Sequence, residues 1–287
     1  MRSDFYMPQE IMPYRLLDSG NLKKLEQVGP YRLVRPALNA FWSPSLPEEE
    51  WLAADAVFSR NSDGSGNWKY KSRIPQSWLA EWGGFNLIMK PTGFGHLGFF
   101  AEQYTNWDYF KSRISKGDKT LNLFGSSGVG SMAMAAAGAT ACHLDASQGM
   151  VDWGKENMTY NQHVPPTVRW IVDDVKKFVQ RELRRENKYS LIALDPPSFG
   201  RGSKGEVWKI ETDLPKLLAD CAKMRDDDKR FTLVLSCHSP GFSLLVLERM
   251  IEEAFPGKGE FDSFEMTIPE STGRVLPAGV CVRYTAN

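Results

Sequence analysis

The sequence predicts an α/β protein: a doubly wound, seven-stranded sheet with an antiparallel edge, preceded by a small β-rich (α+β) amino-terminal domain. From about residue 118, apolar runs of strand length alternate with helical segments, as repeated βα units require. The last two apolar runs have little chain between them, which favours an antiparallel pair. Before residue 110, short aromatic runs are instead separated by Gly and Pro. We therefore predict domains at 1–110 and 111–287.

The amino-terminal domain is predicted from runs such as "YRLVRP", "GNWKYKS" and "FNLIMK", which have strand length and aromatic or β-branched content. One helix is expected in "LPEEEWLAADAVFS", where Pro47 and three glutamates match the preferences of a first helical turn. Six of the nine tryptophans lie in this domain: Trp42, Trp51, Trp68, Trp78, Trp82 and Trp107. Because a small core needs bulky residues, we assign them to packing in preference to base stacking.

Charge and cysteine content narrow the class of protein. The 287 residues include 35 Lys and Arg against 35 Asp and Glu, so no overall charge marks a nucleic-acid binder. Four widely spaced cysteines form no CxxC pair, which argues against zinc and against a disulfide framework: Cys142, Cys221, Cys237 and Cys281. Without a long apolar run or a signal-peptide core, we expect a cytoplasmic protein that binds no metal and spans no membrane. The oligomeric state stays open.

A glycine-rich turn follows the first strand of the alternating region, in "LNLFGSSGVGS" (residues 121–131). Gly125, Gly128 and Gly130 let the backbone approach a ligand at the start of the following helix. The spacing is GxxGxG, whereas the dinucleotide fingerprint is GxGxxG, so an NAD-dependent oxidoreductase is only a minor alternative.

Acidic residues end the next three strands. Asp145 is placed to hold both ribose hydroxyls, and Asp173 or Asp174 to accept from an adenine amino group. The fourth strand runs into "LIALDPPSFGRG" (191–202), where Asp195 precedes two prolines that fix the backbone. These strand ends, without a second glycine-rich crossover, favour S-adenosylmethionine over NAD. For Asp145 and Asp174, an ordinary role in a turn or a helix cap is the alternative.

These motifs, in this order, resemble class I S-adenosylmethionine-dependent methyltransferases, and specifically the bacterial large-subunit rRNA cytosine-C5 methyltransferase family. "HLDAS", "WGKENMTYNQ", "DDVKKFV" and "LPAGVCVRY" also match, so the resemblance covers roughly residues 85 to 285. It implies a Rossmann-like fold, S-adenosyl-L-methionine as cofactor with S-adenosyl-L-homocysteine as product, and an RNA acceptor, specifically rRNA. Two departures are Asn122 in place of the first acid of the glycine motif and no recognisable PUA domain, as expected of a shorter, stand-alone branch.

The resemblance also implies site residues. The element "GHLGFFAEQYTNW" (95–107) is expected beside the cofactor. Cofactor contacts are expected from Phe100, Gln103, Phe124, Gly125, Ser126, Gly128, Asp145, Ala146, Asp174, Val175 and Asp195. Substrate contacts are expected from Pro196, Pro197, Phe199, Arg201 and Lys204, with Trp208 on the same flexible loop.

Asp195 and Cys237 are the predicted catalytic residues. Asp195 would accept an N–H of a flipped base while Phe199 stacks on the base. Cytosine C5 is a poor nucleophile, so its methylation needs a thiolate that adds at C6. Cys237, in "LVLSCHS", matches the family's nucleophile and is expected to face Asp195. Packing in the core is the alternative role for Cys237.

Other acceptors remain open. A methyltransferase acting on a base nitrogen would use Asp195 and would not need Cys237, and a protein or small-molecule acceptor fits the zero net charge. A non-catalytic module that binds the cofactor or RNA is the alternative from another class. One helix carries a basic stripe, which we interpret as a solvated face in preference to an RNA-binding surface: Lys177, Arg181, Arg184, Arg185 and Lys188.

Overall fold

The computed structural model describes residues 5–6, 11–61, 65–202 and 205–286. The chain divides into two compact units: a first unit of residues 1–102 and 267–278, and a second unit of residues 103–266 and 279–287. The predicted domains, 1–110 and 111–287, differ from these units in two places. The first unit ends at residue 102, and it also includes residues 267–278, the tip of the carboxyl-terminal hairpin. The tip joins the first unit because Arg274 hydrogen-bonds Asp18, a pairing of distant residues that no local sequence pattern reports.

The first unit contains two sheets. Its elements are β1 (Phe5–Tyr6), β2 (Tyr14–Gly20), β3 (Lys23–Val28), β4 (Tyr31–Pro36), α1 (Glu48–Leu52), β5 (Ala56–Arg60), β6 (Gly66–Tyr70), β7 (Ser77–Trp82), β8 (Phe85–Met89) and most of a 3₁₀ helix (Ala101–Gln103). Strands β2 to β6 form one sheet in chain order, and the other has the order β1-β7-β8.

The helix predicted in "LPEEEWLAADAVFS" is much shorter than expected. Helix α1 ends at Leu52, and the last four residues of that stretch belong to β5, which pairs with β4. The Asp55 carboxylate accepts from the backbone N–H of Arg32 at 2.8 Å and so holds the start of β5 beside β4. Tertiary pairing therefore overrides the local helical preference.

The second unit contains the predicted seven-stranded sheet. Its elements are α2 (Tyr104–Arg113), β9 (Lys119–Leu123), α3 (Val129–Ala136), β10 (Thr140–Asp145), α4 (Gln148–Thr159), β11 (Val168–Val172), α5 (Val175–Arg184), β12 (Leu191–Leu194), β13 (Phe199–Arg201), β14 (Val207–Lys209), α6 (Ile210–Lys223), β15 (Phe231–Cys237), α7 (Leu244–Ala254), β16 (Glu260–Pro269) and β17 (Val275–Ala286). The strand order is β11-β10-β9-β12-β15-β17-β16. The first five strands are parallel and β17 is antiparallel to β15, so the predicted fold class is confirmed.

Register aligns the carboxyl ends of the central strands. Leu123 pairs with Leu144 on one side and with Leu194 on the other, and Leu194 pairs with Leu235. The residues that follow each strand therefore meet at one edge of the sheet, which is where open α/β sheets bind ligands.

Two features of the described part of the chain bear on membranes and metal ions. Among its helices, none has the length and apolar content needed to cross a membrane. Its histidines, cysteines and acids form no cluster of three or more that is arranged to hold a metal ion.

Candidate active site

The glycine turn between β9 and α3 is the first part of the site. Phe124 and Ser126 have positive φ angles of 57° and 50°, and Gly128 has a φ of 83°, so the backbone reverses tightly before α3. A Cβ on Gly125 would lie 2.4 Å from the His143 ring, which leaves room at that position only for glycine. The sequence prediction of a close backbone approach is consistent with this geometry.

A buried polar cluster supports the turn from below, and sequence analysis did not find it. Asn122, which stands where the family has an acid, donates to Ser131 Oγ at 2.9 Å, and that oxygen lies 2.9 Å from His143 Nδ1. Burial lowers the pKa of His143 to about 3, so its imidazole is neutral at physiological pH. A neutral amide and a neutral imidazole thus avoid an unpaired charge under the turn.

Asp145 closes the turn from the neighbouring strand. Its Oδ2 accepts from the Ser126 N–H at 2.9 Å, and its Oδ1 accepts from the Ser147 N–H at 2.8 Å. Burial raises the pKa of this carboxyl, and the backbone donors partly offset the rise. A carboxylate has roughly four lone-pair positions, so with backbone donors from Ser126, Ser147 and Ala146 it retains capacity to accept from a ligand.

The third strand end carries a helix cap. Asp174 Oδ1 accepts from the Lys177 N–H at 3.0 Å and caps α5, and Val175, the first helical residue, is buried. Ala146, beside Asp145, is exposed. The capping role is thus present for Asp174, and its role toward adenine stays a prediction, as do the cofactor contacts of Ala146 and Val175.

Asp195 lies at the centre of a polar cluster at the end of β12. Its Oδ2 accepts from Gln103 Nε2 at 3.1 Å, and the same amide nitrogen donates to Ser236 Oγ at 2.9 Å. Its Oδ1 is buried and accepts no hydrogen bond from the described residues. His238 Nε2 lies 3.5 Å from Oδ1, which is too long for a good hydrogen bond but close enough for electrostatic attraction.

The charge state of Asp195 follows from these neighbours. Burial alone would raise its pKa, but the nearby His238 and the hydrogen bonds from Ser236 and Gln103 outweigh burial and hold the pKa below its ordinary value. Asp195 is therefore an ionised acceptor at neutral pH, with Oδ2 hydrogen-bonded to Gln103 and Oδ1 3.5 Å from His238 Nε2.

The segment after Asp195 is a β-ribbon, which corrects the expected flexible loop. Strands β13 and β14 pair antiparallel, and Trp208 is buried against Phe124 at a ring-centroid distance of 4.9 Å. Its indole N–H donates to the Pro197 carbonyl at 2.7 Å. These two contacts of Trp208 hold β14 in place, and the polar sequence "GRGSKGE" gives no indication of them.

The ribbon presents two of the predicted substrate residues together. Phe199 is 51% exposed, and the Arg201 guanidinium lies 5.8 Å from its ring centroid on the same face of β13. Pro196 is buried and Pro197 is exposed. Lys204 lies outside the described residues.

Phe100 and Gln103 belong to different units. Phe100 is 40% exposed in the first unit, and its expected cofactor contact stays a prediction. Gln103 lies in the second unit, where it is held by Asp195 and Ser236. The structure therefore places Gln103 as a partner of Asp195.

Comparison with known proteins decides the family. A family model described as S-adenosylmethionine-dependent methyltransferase matches residues 96–225. The crystal structure of the SAM-dependent methyltransferase from Agrobacterium tumefaciens is 35% identical, covers 99% of this chain and 94% of that chain, and superposes with a TM-score of 0.89. The chain belongs to the S-adenosylmethionine-dependent methyltransferases. The predicted S-adenosylmethionine-dependent methyltransferase family and its cofactor are thereby confirmed, and the cytosine-C5 specificity stays a prediction.

Two further similarities bear on this methyltransferase. The crystal structure of the methyltransferase SMU.776 complexed with SAH shares the fold, with a TM-score of 0.78 at 16% identity over 97% of this chain and 76% of that chain. The ribosomal RNA large subunit methyltransferase K/L of Hahella chejuensis is 33% identical over 138 residues, which are 47% of this chain. The match spans only 18% of that relative, so the chain corresponds to a small part of its length.

Cys237 occupies a different environment in this methyltransferase from the expected one. It is 2% exposed and belongs to the hydrophobic core with residues such as Leu235. Burial raises the pKa of its thiol, and the charge of Asp195 adds to the rise. Side chains alternate along a strand, so the neighbour Ser236, and not Cys237, points toward Gln103 and Asp195. The catalytic role of Cys237 stays a prediction.

Four of the five residues of the basic stripe, which runs from α5 into the following turn, have partners within the protein. Lys177 pairs with Glu206, Arg181 with Asp173, and Arg185 with Glu182, while Lys188 donates to the Lys223 carbonyl. These pairings favour the interpretation of the stripe as a salt-bridged, solvated face.

Sequence analysis missed four polar residues around Asp195: Asn106, Ser236, His238 and Arg283. Each lies in a quoted stretch: Asn106 in "GHLGFFAEQYTNW", Ser236 and His238 in "LVLSCHS", and Arg283 in "LPAGVCVRY". Those stretches gave no signal that the side chains meet, because only the register of β15 with β17 and the approach of α2 bring them together.

Proposed function

We propose that this methyltransferase transfers a methyl group to a nitrogen of a nucleobase in large-subunit rRNA. The ionised carboxylate of Asp195 carries the proposal: its buried Oδ1 accepts no hydrogen bond shorter than the 3.5 Å approach of His238 Nε2, so it would be a strong acceptor for an N–H of a ligand. The rRNA acceptor is suggested by the name of the Hahella chejuensis relative. With it we propose a cytoplasmic location.

The cofactor fits the glycine turn and the first two acids. S-adenosylmethionine supplies an electrophilic methyl group on a sulfonium. We assign its binding to the backbone of residues 124–128, to Asp145 and Ala146, and to Asp174 and Val175. The backbone reversal at Phe124, Ser126 and Gly128, with the Asp145 carboxylate beside it, supports this assignment.

Asp195 would act on the acceptor in two ways. Its Oδ1 would accept the N–H of an amino or ring nitrogen and orient the lone pair toward the methyl group. As the nitrogen bonded the methyl carbon, the carbon–sulfur bond would break and leave S-adenosylhomocysteine, and the adjacent carboxylate would stabilise the positive charge on the nitrogen until its proton passed to solvent. Because its pKa is lowered, Asp195 would be more effective at stabilising positive charge than at accepting a proton as a general base.

The exposed Phe199 and Arg201 would hold the RNA. Base stacking on an aromatic ring tolerates any base, and a guanidinium beside the ring contacts phosphate or the base face. Both side chains lie on one face of β13, and β13 follows directly after the prolines behind Asp195. A base stacked there would be close in sequence and in structure to the proposed catalytic carboxylate.

Cytosine C5 methylation is the second candidate, and it depends on Cys237. The buried position and raised pKa of that thiol disfavour a thiolate at neutral pH. The nitrogen acceptor needs no such group, so the described geometry supports it better.

The test is methyl transfer from labelled S-adenosylmethionine to total RNA and, separately, to total protein from cells that lack the gene. We expect label in RNA of the large ribosomal subunit, and no label with the variant Asp195→Asn. Label in protein with unlabelled RNA would contradict the RNA acceptor and leave the family assignment intact.

A further inference from the structure

Behind Asp195, a chain of side-chain amides leads away from the site. Gln103 Nε2 donates to Asp195 Oδ2, and Gln103 Oε1 accepts from Asn106 Nδ2 at 2.8 Å. Asn106 Oδ1 in turn accepts from Arg283 Nε at 3.1 Å and Nη2 at 3.0 Å. One continuous hydrogen-bonded line therefore joins the guanidinium of Arg283 to the carboxylate of Asp195.

The guanidinium at the far end is rigidly held. Its Nη1 donates to Asp262 at 3.0 Å and its Nη2 to the Thr105 carbonyl at 2.9 Å. It lies between two rings, 4.1 Å from the centroid of Tyr109 and 4.4 Å from that of Phe264. Arg283 is 9% exposed, so it cannot exchange these partners for water.

The polarity of the line follows from the chemistry of its ends. A guanidinium has only donors, so it fixes the oxygen of Asn106 toward itself. The amide nitrogen of Asn106 must then face Gln103, whose own nitrogen must face Asp195. A carboxylate has only acceptors, so both ends favour the same orientation of the two amides.

We propose that Arg283 is a positioning residue of the active site: through Asn106 and Gln103 it keeps Asp195 Oδ2 engaged and leaves Oδ1 for the acceptor. The inference deepens the proposed function and rests on it for the identity of the ligand. Register supports the placement, because Val234 pairs with Arg283 and Ser236 with Cys281, so both pairs lie on the face of the sheet that carries Ser236.

The first experiment tests the hydrogen-bonded line from Arg283 to Asp195 without any substrate. The ¹³C resonance of the Asp195 carboxyl carbon, assigned with Asp195→Asn, is titrated in the unmodified protein and in Arg283→Met, Arg283→Lys and Asn106→Leu. We expect the pKa of Asp195 to rise by about one pH unit, equal to about tenfold in its ionisation constant, in Arg283→Met and Asn106→Leu. Arg283→Lys keeps a donor and a charge and is expected to restore most of the ordinary value.

Asn106→Leu separates orientation from charge, because Arg283 stays in place while the line is cut. His238 lies 3.5 Å from Asp195 Oδ1, and the charge of Asp195 reaches the Cys237 thiol; both residues are unchanged in every variant. The matched control is Arg230→Met, which removes an exposed cation of the same unit that pairs with Glu260. Arg230→Met is expected to leave the titration of Asp195 unchanged.

The second experiment is a double-mutant cycle on kcat/KM for RNA methylation with Gln103→Met and Arg283→Met. If Arg283 acts through Gln103, the double variant is as slow as Gln103→Met alone, and the loss falls on kcat more than on KM. Additive losses, or an unchanged titration in folded Asn106→Leu, would overturn the proposal. If Arg283→Met does not fold, Asn106→Leu replaces it in both experiments. An unmodified protein that methylates no RNA would refute the proposed function, while the titration would still test the line.

Discussion

The two units differ in how completely their buried polar side-chain atoms are hydrogen-bonded. In the first unit, the fully buried Glu26 accepts from Tyr14 Oη, from two nitrogens of Arg35 and from Lys24 Nζ. The buried Asp18 accepts from two backbone N–H groups, from Trp51 and from Arg274. Within the described residues, the buried side-chain atoms that lack a partner all lie in the second unit: Arg113 Nε, Thr120 Oγ1, His143 Nε2, Asp195 Oδ1, Ser263 Oγ and Tyr284 Oη.

This difference distinguishes polar groups that stabilise the fold from polar groups that bind a ligand. Closed clusters stabilise a fold, because every desolvated group regains its hydrogen bonds. An open carboxylate oxygen costs stability and is retained where a ligand supplies the missing donor. Asp195 is the one carboxylate among these atoms of the described residues: its Oδ1 has His238 Nε2 at 3.5 Å but accepts no hydrogen bond, and it lies at the edge where open α/β sheets bind ligands.

The largest expected effect comes from neutralising the open carboxylate. Asp195→Asn should reduce the rate of methyl transfer about 10³-fold, or about 4 kcal/mol, because charge stabilisation at the acceptor nitrogen is lost. Stability should change little, since an amide still receives the donors that face Oδ2. Rate assays and urea unfolding on the same sample check both parts. A stable variant with ordinary activity would remove Asp195 from the reaction.

A closed cluster should respond in the opposite way. Glu26→Gln leaves Arg35 and Lys24 without their counter-charge in the interior of the first unit, and should cost about 3 kcal/mol of the free energy of unfolding. Binding of S-adenosylhomocysteine, followed by calorimetry, should be unchanged in the folded fraction. A loss of affinity at full stability would mean that the cluster belongs to a site.

Acid should weaken the second unit through His143. Its pKa is about 3 in the fold against 6.5 for an ordinary histidine, so below pH 6.5 the unfolded chain binds one more proton than the folded chain. The free energy of unfolding should therefore fall as the pH drops from 6.5 toward 3, by up to about 1.4 kcal/mol per pH unit. In His143→Asn this slope should flatten between pH 6.5 and 5. An unchanged slope would show that His143 does not titrate as its burial requires.

The smallest expected effect concerns the exposed ring. Phe199→Ala should weaken RNA binding by about 1 kcal/mol, or about fivefold, through lost stacking, without a change in stability. Phe94 is an exposed phenylalanine of the first unit, and Phe94→Ala serves as the matched control in the same filter-binding assay. Equal losses in both variants would indicate non-specific adhesion to aromatic surface.

The sequence was most informative where chemistry is local. The glycine turn, the strand-end acids and the fold class follow from motifs that lie within a few residues of one another, and position 125 requires glycine for a reason visible in the fold. The sequence was least informative where the alternation of side chains along a strand decides which face of the sheet each side chain occupies. Cys237 and Ser236 are neighbours in "LSCHS", yet only Ser236 joins the cluster at Asp195. Arg283 lies 88 positions after Asp195, and only the register of β17 brings it near.

The position of the transferred methyl group tests the central claim most directly. Labelled RNA from the methylation reaction is digested to nucleosides and analysed by mass spectrometry, with the unmodified protein and with Cys237→Ala in parallel. The account predicts a methyl group on a base nitrogen and ordinary activity for Cys237→Ala. Label in 5-methylcytidine that disappears in a folded Cys237→Ala variant would contradict it and would establish Cys237 as the nucleophile.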